Sequence, residues 1–173
     1  MKYIVSPSAG LRGPFYKMAY DYRDCGDRRY YKDVIGDGFD FGEYVSRLHD
    51  AALGVGLKKG LVPYDTYWLM DEKEDTIYGV SRLRHMLNPV SHKEGGHIGY
   101  DVPPSLRNAG NATELLRQTI IKARSKGIYR VLLTCDADNA ASARVIEKNG
   151  GALENQVISS FTNKLVNRYW ICC

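Results

Sequence analysis

The residues whose types best suit chemistry lie at 107–112, between a predicted strand at 96–102 and a periodic helix predicted from Thr113 to Lys126. The first N–H groups of a helix have no intrahelical acceptor, and their partial positive charge favours an anion. Gly110 would let the main chain approach such a ligand closely. The spacing therefore predicts an anion-binding loop, with an ordinary strand-to-helix turn as the alternative. The loop residues are Arg107, Asn108, Ala109, Gly110, Asn111 and Ala112.

The chain after this loop continues to alternate between helix and strand. Gly127 is placed to end the first helix, and residues 129–135 form a short apolar run typical of a buried strand. Asp138 and Asn139 begin a segment rich in helix-capping residues, and the helix that follows would end near Gly150. The order strand, loop, helix, strand, helix therefore extends over residues 95–155.

This segment resembles the cofactor half of the GNAT acyltransferases, which use acetyl-CoA. The likeness rests on the Arg-x-x-Gly-x-Ala spacing of residues 107–112, the Asn-x-x-Ser of 139–142 and the Glu-Lys-Asn-Gly of 147–150. Gly-Gly-His-Ile-Gly-Tyr at 95–100 and Arg-Tyr-Trp-Ile at 168–171 resemble a bacterial group of predicted acetyltransferases within that family. The resemblance implies an acyl-CoA-dependent N-acyltransferase that acetylates a primary amine.

The other predicted elements agree with that family's fold. Helices are predicted at 15–25 and 41–53, and strands at 67–70, 77–84, 156–159 and 165–171. With these elements the resemblance implies an α/β (α+β) fold. Its mixed, mostly antiparallel central sheet contains two splayed parallel strands and is flanked by helices. We expect a single domain over residues 1–173.

The resemblance also implies where acetyl-CoA binds. In the family, the pantetheine arm lies between the two splayed strands, which are residues 97–102 and 130–135 in this chain. Main-chain groups of the first strand would bind the arm as an added strand does, and N–H groups of the loop would hold the pyrophosphate. The positions implied as cofactor-binding are Tyr100, Val102, Arg107, Asn108, Ala109, Gly110, Asn111, Ala112, Asn139 and Ser142.

Three of these side chains have a structural alternative. Arg107 could brace the loop instead of contacting a phosphate. Asn111 opens the sequence Asn-Ala-Thr-Glu, which fits a capping box. Asn139 could be a plain helix cap.

Acetyl transfer to an amine also needs a base or a water chain and a proton for the departing thiolate. Asp136 and His97 are the base candidates nearest the expected cleft. Asp136 could equally cap the following helix, a lone strand histidine is often structural, and deprotonation through ordered water competes with both. Many family members place a tyrosine acid seven residues after the asparagine of the Asn-x-x-Ser motif, and here that position is Ile146. The acid role is therefore unassigned.

The acceptor is expected on the side formed by residues 36–44 and the hairpin near Phe161, where the first two helices and the last strands would flank the thioester. Asp37, Phe39 and Asp40 combine carboxylates with an aromatic face, which suits a cation. The alternative is that the aromatic residue belongs to the core and the carboxylates are solvated turn residues. The expected acceptor is a small-molecule amine or an exposed protein amino group.

Composition excludes other classes of function. The net charge of +4 is mild and the basic residues are spread along the chain, so no nucleic acid is expected. No apolar run approaches the roughly 20 residues of a membrane span, and no signal peptide is recognised, so a cytoplasmic location is expected. The four cysteines form no Cys-x-x-Cys pair, so no metal site is expected. A homodimer is left open.

Three hypotheses follow. The first is an N-acetyltransferase that uses acetyl-CoA. The second is a CoA-binding or regulatory module with little or no turnover, because Ile146 replaces the acid and the loop lacks extra basic residues. The third is an interaction domain whose loop binds no cofactor.

Overall fold

The computed structural model describes residues 1–30 and 38–173. The strands are β1 (Lys2–Val5), β2 (Tyr64–Asp71), β3 (Gly79–Arg84), β4 (Ile98–Asp101), β5 (Arg130–Asp136), β6 (Ala152–Ile158) and β7 (Leu165–Cys172). The helices are α1 (Arg12–Asp24), α2 (Phe41–Leu53), α3 (Asn111–Ser125) and α4 (Ala140–Lys148). The predicted helices are confirmed to within a few residues.

Strand ends differ from the prediction by up to four residues. β2 begins at Tyr64 and not at 67, and β3 begins at Gly79 and not at 77. β4 is shorter than the predicted 96–102 because Gly96 adopts a positive φ of 65° and prolines follow Val102. β6 begins at Ala152, four residues before the predicted 156, and bulges between Leu153 and Asn155. Its residues are almost all exposed, so the strand carries no apolar alternation that would reveal it.

The strands form two sheets with antiparallel pairs. The first sheet has the order β1-β2-β3-β4 and the second has the order β5-β7-β6. Among the described residues no ladder joins β4 to β5, so the predicted separation of the two central strands is confirmed. The connection β4-α3-β5 is a helical crossover, the kind that parallel strands require.

One short junction connects the two sheets. The N–H of His97 donates to the carbonyl of Leu132 over 2.7 Å, just before β4 begins. A Cβ on Gly96 would lie 2.6 Å from that same carbonyl oxygen, so only glycine allows the main chains to come this close. Arg84 donates to the carbonyls of Gly95 and Gly96, which fixes the segment before the junction. The strands therefore start from a fixed point and diverge.

Each face of the sheets has its own core. Successive strand residues point to opposite faces, so Trp68 packs against Phe15 and Phe41 beneath α1 and α2, whereas Tyr67 faces the other way. The core on the α3 and α4 side includes residues from both sheets, such as Leu83 and Leu133. This second core holds the sheets together behind the gap. No helix in the described ranges is long and apolar enough to cross a membrane.

Candidate functional site

The predicted anion loop forms at the open end of the gap. Asn108 and Gly110 adopt positive φ angles of 61° and 77°, and α3 begins at Asn111. Glu114 donates the first bond of the helix, to the carbonyl of Gly110 over 3.1 Å. The N–H groups immediately before Glu114 therefore have no intrahelical acceptor. They lie beside a cavity of about 480 Å³, which we call the anion cavity.

Four cationic side chains of the described residues line the anion cavity: Arg29, Arg107, Arg144 and Lys148. The predicted loop contributes one of them, and the others come from the segment after α1 and from α4. Asp101 is the one carboxylate among the described lining residues. The cavity thus has the charge that a polyphosphate ligand requires, although the loop itself is poor in basic residues.

The predicted loop residues divide between open and structural positions. Asn108, Gly110, Asn111 and Ala112 line the cavity, but Ala109 does not. Arg107 Nε donates to the carbonyl of Val102 over 3.1 Å, so Arg107 braces the loop while it lines the cavity.

The Asn111 side chain is structural. It is buried, donates to the carbonyl of Leu106 over 2.7 Å and accepts from Lys2 Nζ over 2.5 Å. The suggested capping box is absent, since no side chain caps α3 among the described residues and Glu114 instead pairs with Arg117. Asn111 is therefore left with its main-chain N–H as the group open to an anion.

A tyrosine and a serine meet across the gap. The hydroxyls of Tyr100 on β4 and Ser142 on α4 lie 2.8 Å apart, and both residues line the anion cavity. Burial raises the pKa of Tyr100 to about 12, so its hydroxyl keeps its proton at neutral pH. Asn139 caps α4 by accepting from the N–H of Ser142 over 3.0 Å. Ile146, at the family's tyrosine position, is fully buried in the core.

His97 participates in the junction between the sheets. Its Nδ1 accepts the N–H of Leu132 over 2.9 Å, so the neutral ring carries its proton on Nε2. The pKa of His97 is lowered to about 4, mainly by burial and to a smaller extent by the nearby charges of Arg84 and His92. These contacts support the structural alternative for His97. Asp136 lies exposed at the end of β5.

A buried polar network supports the end of β4 from the other face. Asp101 accepts from the hydroxyl of Tyr22 over 2.5 Å and from that of Tyr30 over 2.9 Å. Arg82 lies 3.8 Å from the same carboxylate and donates to Tyr30. Burial and the Asp101 charge raise the pKa of both tyrosines. Sequence periodicity gave no signal for this network, because its members come from separate elements.

The residues predicted for the acceptor do not line either cavity where they can be placed. Asp37 lies outside the described residues. The Phe39 ring stacks on Phe15 at 6.1 Å and belongs to the core. The Asp40 carboxylate accepts from the N–H of Glu43 over 3.0 Å and caps α2. The placement of Phe39 corresponds to its structural alternative, whereas the capping role of Asp40 was not among the alternatives.

A second cavity, of about 410 Å³, lies on the face of the sheets that carries α1 and α2. Thr134 and Asp136 point to this face because Leu133 and Cys135 belong to the core on the opposite face. Cys135 also lines this cavity, and its thiol contacts Ser142 of the anion cavity. Cys135, in the C-terminal half of β5, and Ser142 therefore lie between the two cavities. The described residues contain no group of three metal-ligating side chains.

Comparison with known proteins agrees with the geometry. A family model described as an acetyltransferase (GNAT) domain matches residues 40–152. No curated protein matches the chain in a sequence search. The microcin C7 self-immunity acetyltransferase MccE, in complex with acetyl-CoA and AMP, superposes with a TM-score of 0.68 at 14% identity, over 99% of this chain and 92% of that one.

Two further solved structures share the fold. RimL, the ribosomal L7/L12 alpha-N-protein acetyltransferase in complex with coenzyme A, has a TM-score of 0.69 at 15% identity, over 99% of this chain and 93% of that one. A chimera of the spermidine N-acetyltransferase SpeG from Vibrio cholerae and hSSAT has a TM-score of 0.65 at 15% identity, over 99% of this chain and 95% of that one. The family match over residues 40–152 shows that this chain belongs to the GNAT acetyltransferases.

Proposed function

We propose that this chain transfers the acetyl group of acetyl-CoA to a primary amine. The observation that carries the proposal is the position of the free helix N–H groups beside a cationic cavity at the open end of the gap between β4 and β5. A ligand with a pyrophosphate at one end and a thioester at the other fits this arrangement. Structural neighbours bind acetyl-CoA or CoA.

The chain's own groups hold the two ends of such a ligand differently. N–H groups of residues 108–113 would bind the pyrophosphate, and Arg29, Arg144 and Lys148 would add charge around it. The unpaired edge of β4 near Tyr100 would bind the pantetheine arm. Acetyl-CoA supplies the activated acyl group.

The Tyr100 hydroxyl takes the acid role that Ile146 leaves open. It lies in the gap, contacts Ser142 Oγ over 2.8 Å and keeps its proton at neutral pH. It can therefore hydrogen-bond the departing thiolate and donate its proton as the bond between sulfur and the acyl carbon breaks, after which the phenolate regains a proton from solvent. On the amine side, Asp136 is exposed at the second cavity and can take up the amine's proton through water. His97 is left out because its Nδ1 is occupied and its pKa is low.

A thermal-shift titration with acetyl-CoA tests the proposed cofactor site. A ligand that binds only the folded state stabilises it by about 2.7 kcal/mol at a hundredfold excess over its dissociation constant. We expect Gly110→Glu to abolish the shift, because the new carboxylate would occupy the anion site. Gly127→Glu is a matched control, since Gly127 also has a positive φ and open space around it but lies at the other end of α3. A full shift in the Gly110 variant would place the ligand elsewhere.

A CoA-binding module with little turnover is the second candidate, because Ile146 has no hydroxyl and is fully buried. Release of free thiol from acetyl-CoA in the presence of an amine panel separates the two. Binding without amine-dependent thiol release would support the module.

A further inference from the structure

The second cavity has a composition that selects among amines. Three exposed apolar side chains in the described part of the chain lie on its rim: Leu61 is 55% exposed, Val90 52% and Phe161 76%. They come from three separate parts of the chain, and the fold brings them together at this cavity. Single exposed apolar residues are common on proteins, but three around one cavity provide a surface for an apolar ligand group.

In the described ranges, the second cavity contains few charged groups, and its carboxylates outnumber its cations by only one. Two carboxylates, Asp136 and Glu94, and one guanidinium, that of Arg84, are the charged groups among the described lining residues. Glu94 already accepts from the N–H of Ser160 over 3.1 Å, and Arg84 is held by two carbonyls. Asp136 is exposed and accepts no hydrogen bond from any described side chain, so its carboxylate is the more open of the two.

This composition matches one ammonium group attached to an apolar body. A polyamine carries several positive charges along a polar chain, and it would meet the repulsive charge of Arg84 in a cavity whose two carboxylates exceed that cation by one charge. An amine with a neighbouring apolar side chain would instead place its ammonium at Asp136 and its apolar part against the rim. Once Asp136 takes up its proton through water, the same nitrogen would face β5, where Cys135 and Ser142 lie between this cavity and the anion cavity.

We propose that the acceptor is a monocationic primary amine with an apolar group beside the amine, such as an amino-terminal residue with an apolar side chain, and that it binds in the second cavity. This inference rests on the proposed acetyl-CoA function. In the same reaction, Asp136 would bind the ammonium group of the acceptor, and the rim formed by Leu61, Val90 and Phe161 would contact its apolar group.

The test measures kcat/KM for leucinamide, glycinamide and spermidine at saturating acetyl-CoA. Leucinamide and glycinamide have the same charge and differ in the apolar group, and we expect leucinamide to be favoured about tenfold or more. We expect spermidine to be the poorest acceptor. A peptide that begins with leucine, compared with free leucinamide, shows whether the amine comes from a polypeptide or from a small molecule.

Two variants connect the result to the cavity. Phe161→Ala should remove most of the preference for leucinamide over glycinamide, whereas Ile158→Ala should retain it, because Ile158 is also exposed but does not line the cavity. Both positions are exposed, so both variants should fold. A higher kcat/KM for spermidine, or an unchanged preference in Phe161→Ala, would overturn the inference while the acetyl-CoA thermal shift remained. Absence of that shift would instead overturn the cofactor proposal.

Discussion

The Tyr100 hydroxyl gives a direct test of proton transfer at the scale of one residue. Tyr100→Phe removes the group that contacts Ser142 Oγ and keeps the ring that packs in the core. We expect kcat to fall by about a hundredfold or more, because a positioned acid contributes at least that much. The dissociation constant of acetyl-CoA should change little.

A matched control for this prediction is Tyr129→Phe, since Tyr129 is 66% exposed and lies outside both cavities. If kcat in Tyr100→Phe stayed within a few-fold of the unchanged protein, the hydroxyl would have only a structural role. A lower free energy of unfolding without loss of kcat would indicate the same.

His97 should make the free energy of unfolding depend on pH, and the direction of that dependence follows from the burial of its ring. Its folded-state pKa of about 4 lies below the ordinary value near 6.5, so the unfolded chain binds the extra proton first as pH falls. The stabilisation is fully present above about pH 6.5 and is lost as pH falls towards 4. Because His97 is only 9% exposed, the loss should be on the order of 3 kcal/mol.

Urea unfolding at several pH values between 7 and 4 measures this loss. In His97→Gln the dependence on pH over that range should be shallower, because the titrating group is gone while carboxylates elsewhere still titrate. Parallel pH dependences in the two proteins would show that His97 does not carry the effect.

The sequence could predict the loop residues whose main-chain N–H groups are proposed to bind the anion. Gly110 and the N–H groups after it follow from the strand-to-helix turn, which local spacing reveals. Bracing by Arg107 was one of two alternatives from the sequence, but its partner, the Val102 carbonyl, is reached only through the fold. The contact between Asn111 and Lys2 could not be predicted for the same reason. Arg29 gave no signal either, since it lies far along the chain from the loop whose cavity it lines.

At Gly96 the segment that leads into β4 comes very close to the main chain of β5. Gly96→Ala places a methyl group 2.6 Å from the Leu132 carbonyl oxygen at a positive φ. We expect a loss of unfolding free energy of about 2 kcal/mol or more, from strain and overpacking together. Gly99→Ala, on β4 itself, has no atom within 4 Å of the new methyl and no positive φ, so it should change stability little.

Chemical denaturation of both variants measures these changes. Equal stability of the Gly96 and Gly99 variants would mean that the junction relaxes without cost and does not fix the start of the gap.

Helices were predictable as elements because their ends carry local signals. Asp40 caps α2 and Gly54 ends it at a φ of 77°, and both residue types are visible in the sequence. β6 was predicted too short because an exposed edge strand has little apolar pattern. The gap between the sheets was expected from the family resemblance, whereas its fixed starting point at Gly96 depends on a contact with β5.

At the scale of the whole molecule, the charge around the anion cavity comes from distant parts of the chain. We expect Arg29→Gln to weaken acetyl-CoA binding by about three- to tenfold and to reduce its dependence on salt, since one cation near the phosphates is lost. Arg28→Gln makes the same change in net charge at an exposed neighbour that does not line the cavity.

Isothermal titration at two salt concentrations compares the two variants. An equal loss of affinity in both would mean that overall charge, and not the position of Arg29, attracts the ligand.

The reciprocal contact between His97 and Leu132 has a consequence for solvent access. Both amides are bonded across the junction, so each can exchange its hydrogen for deuterium only when the junction opens. Because the two sheets diverge from this point, a swing of one sheet against the other would expose both amides together. Deuterium uptake at positions 97 and 132 would therefore report, on the timescale of minutes to hours, how often the two sheets separate at the junction.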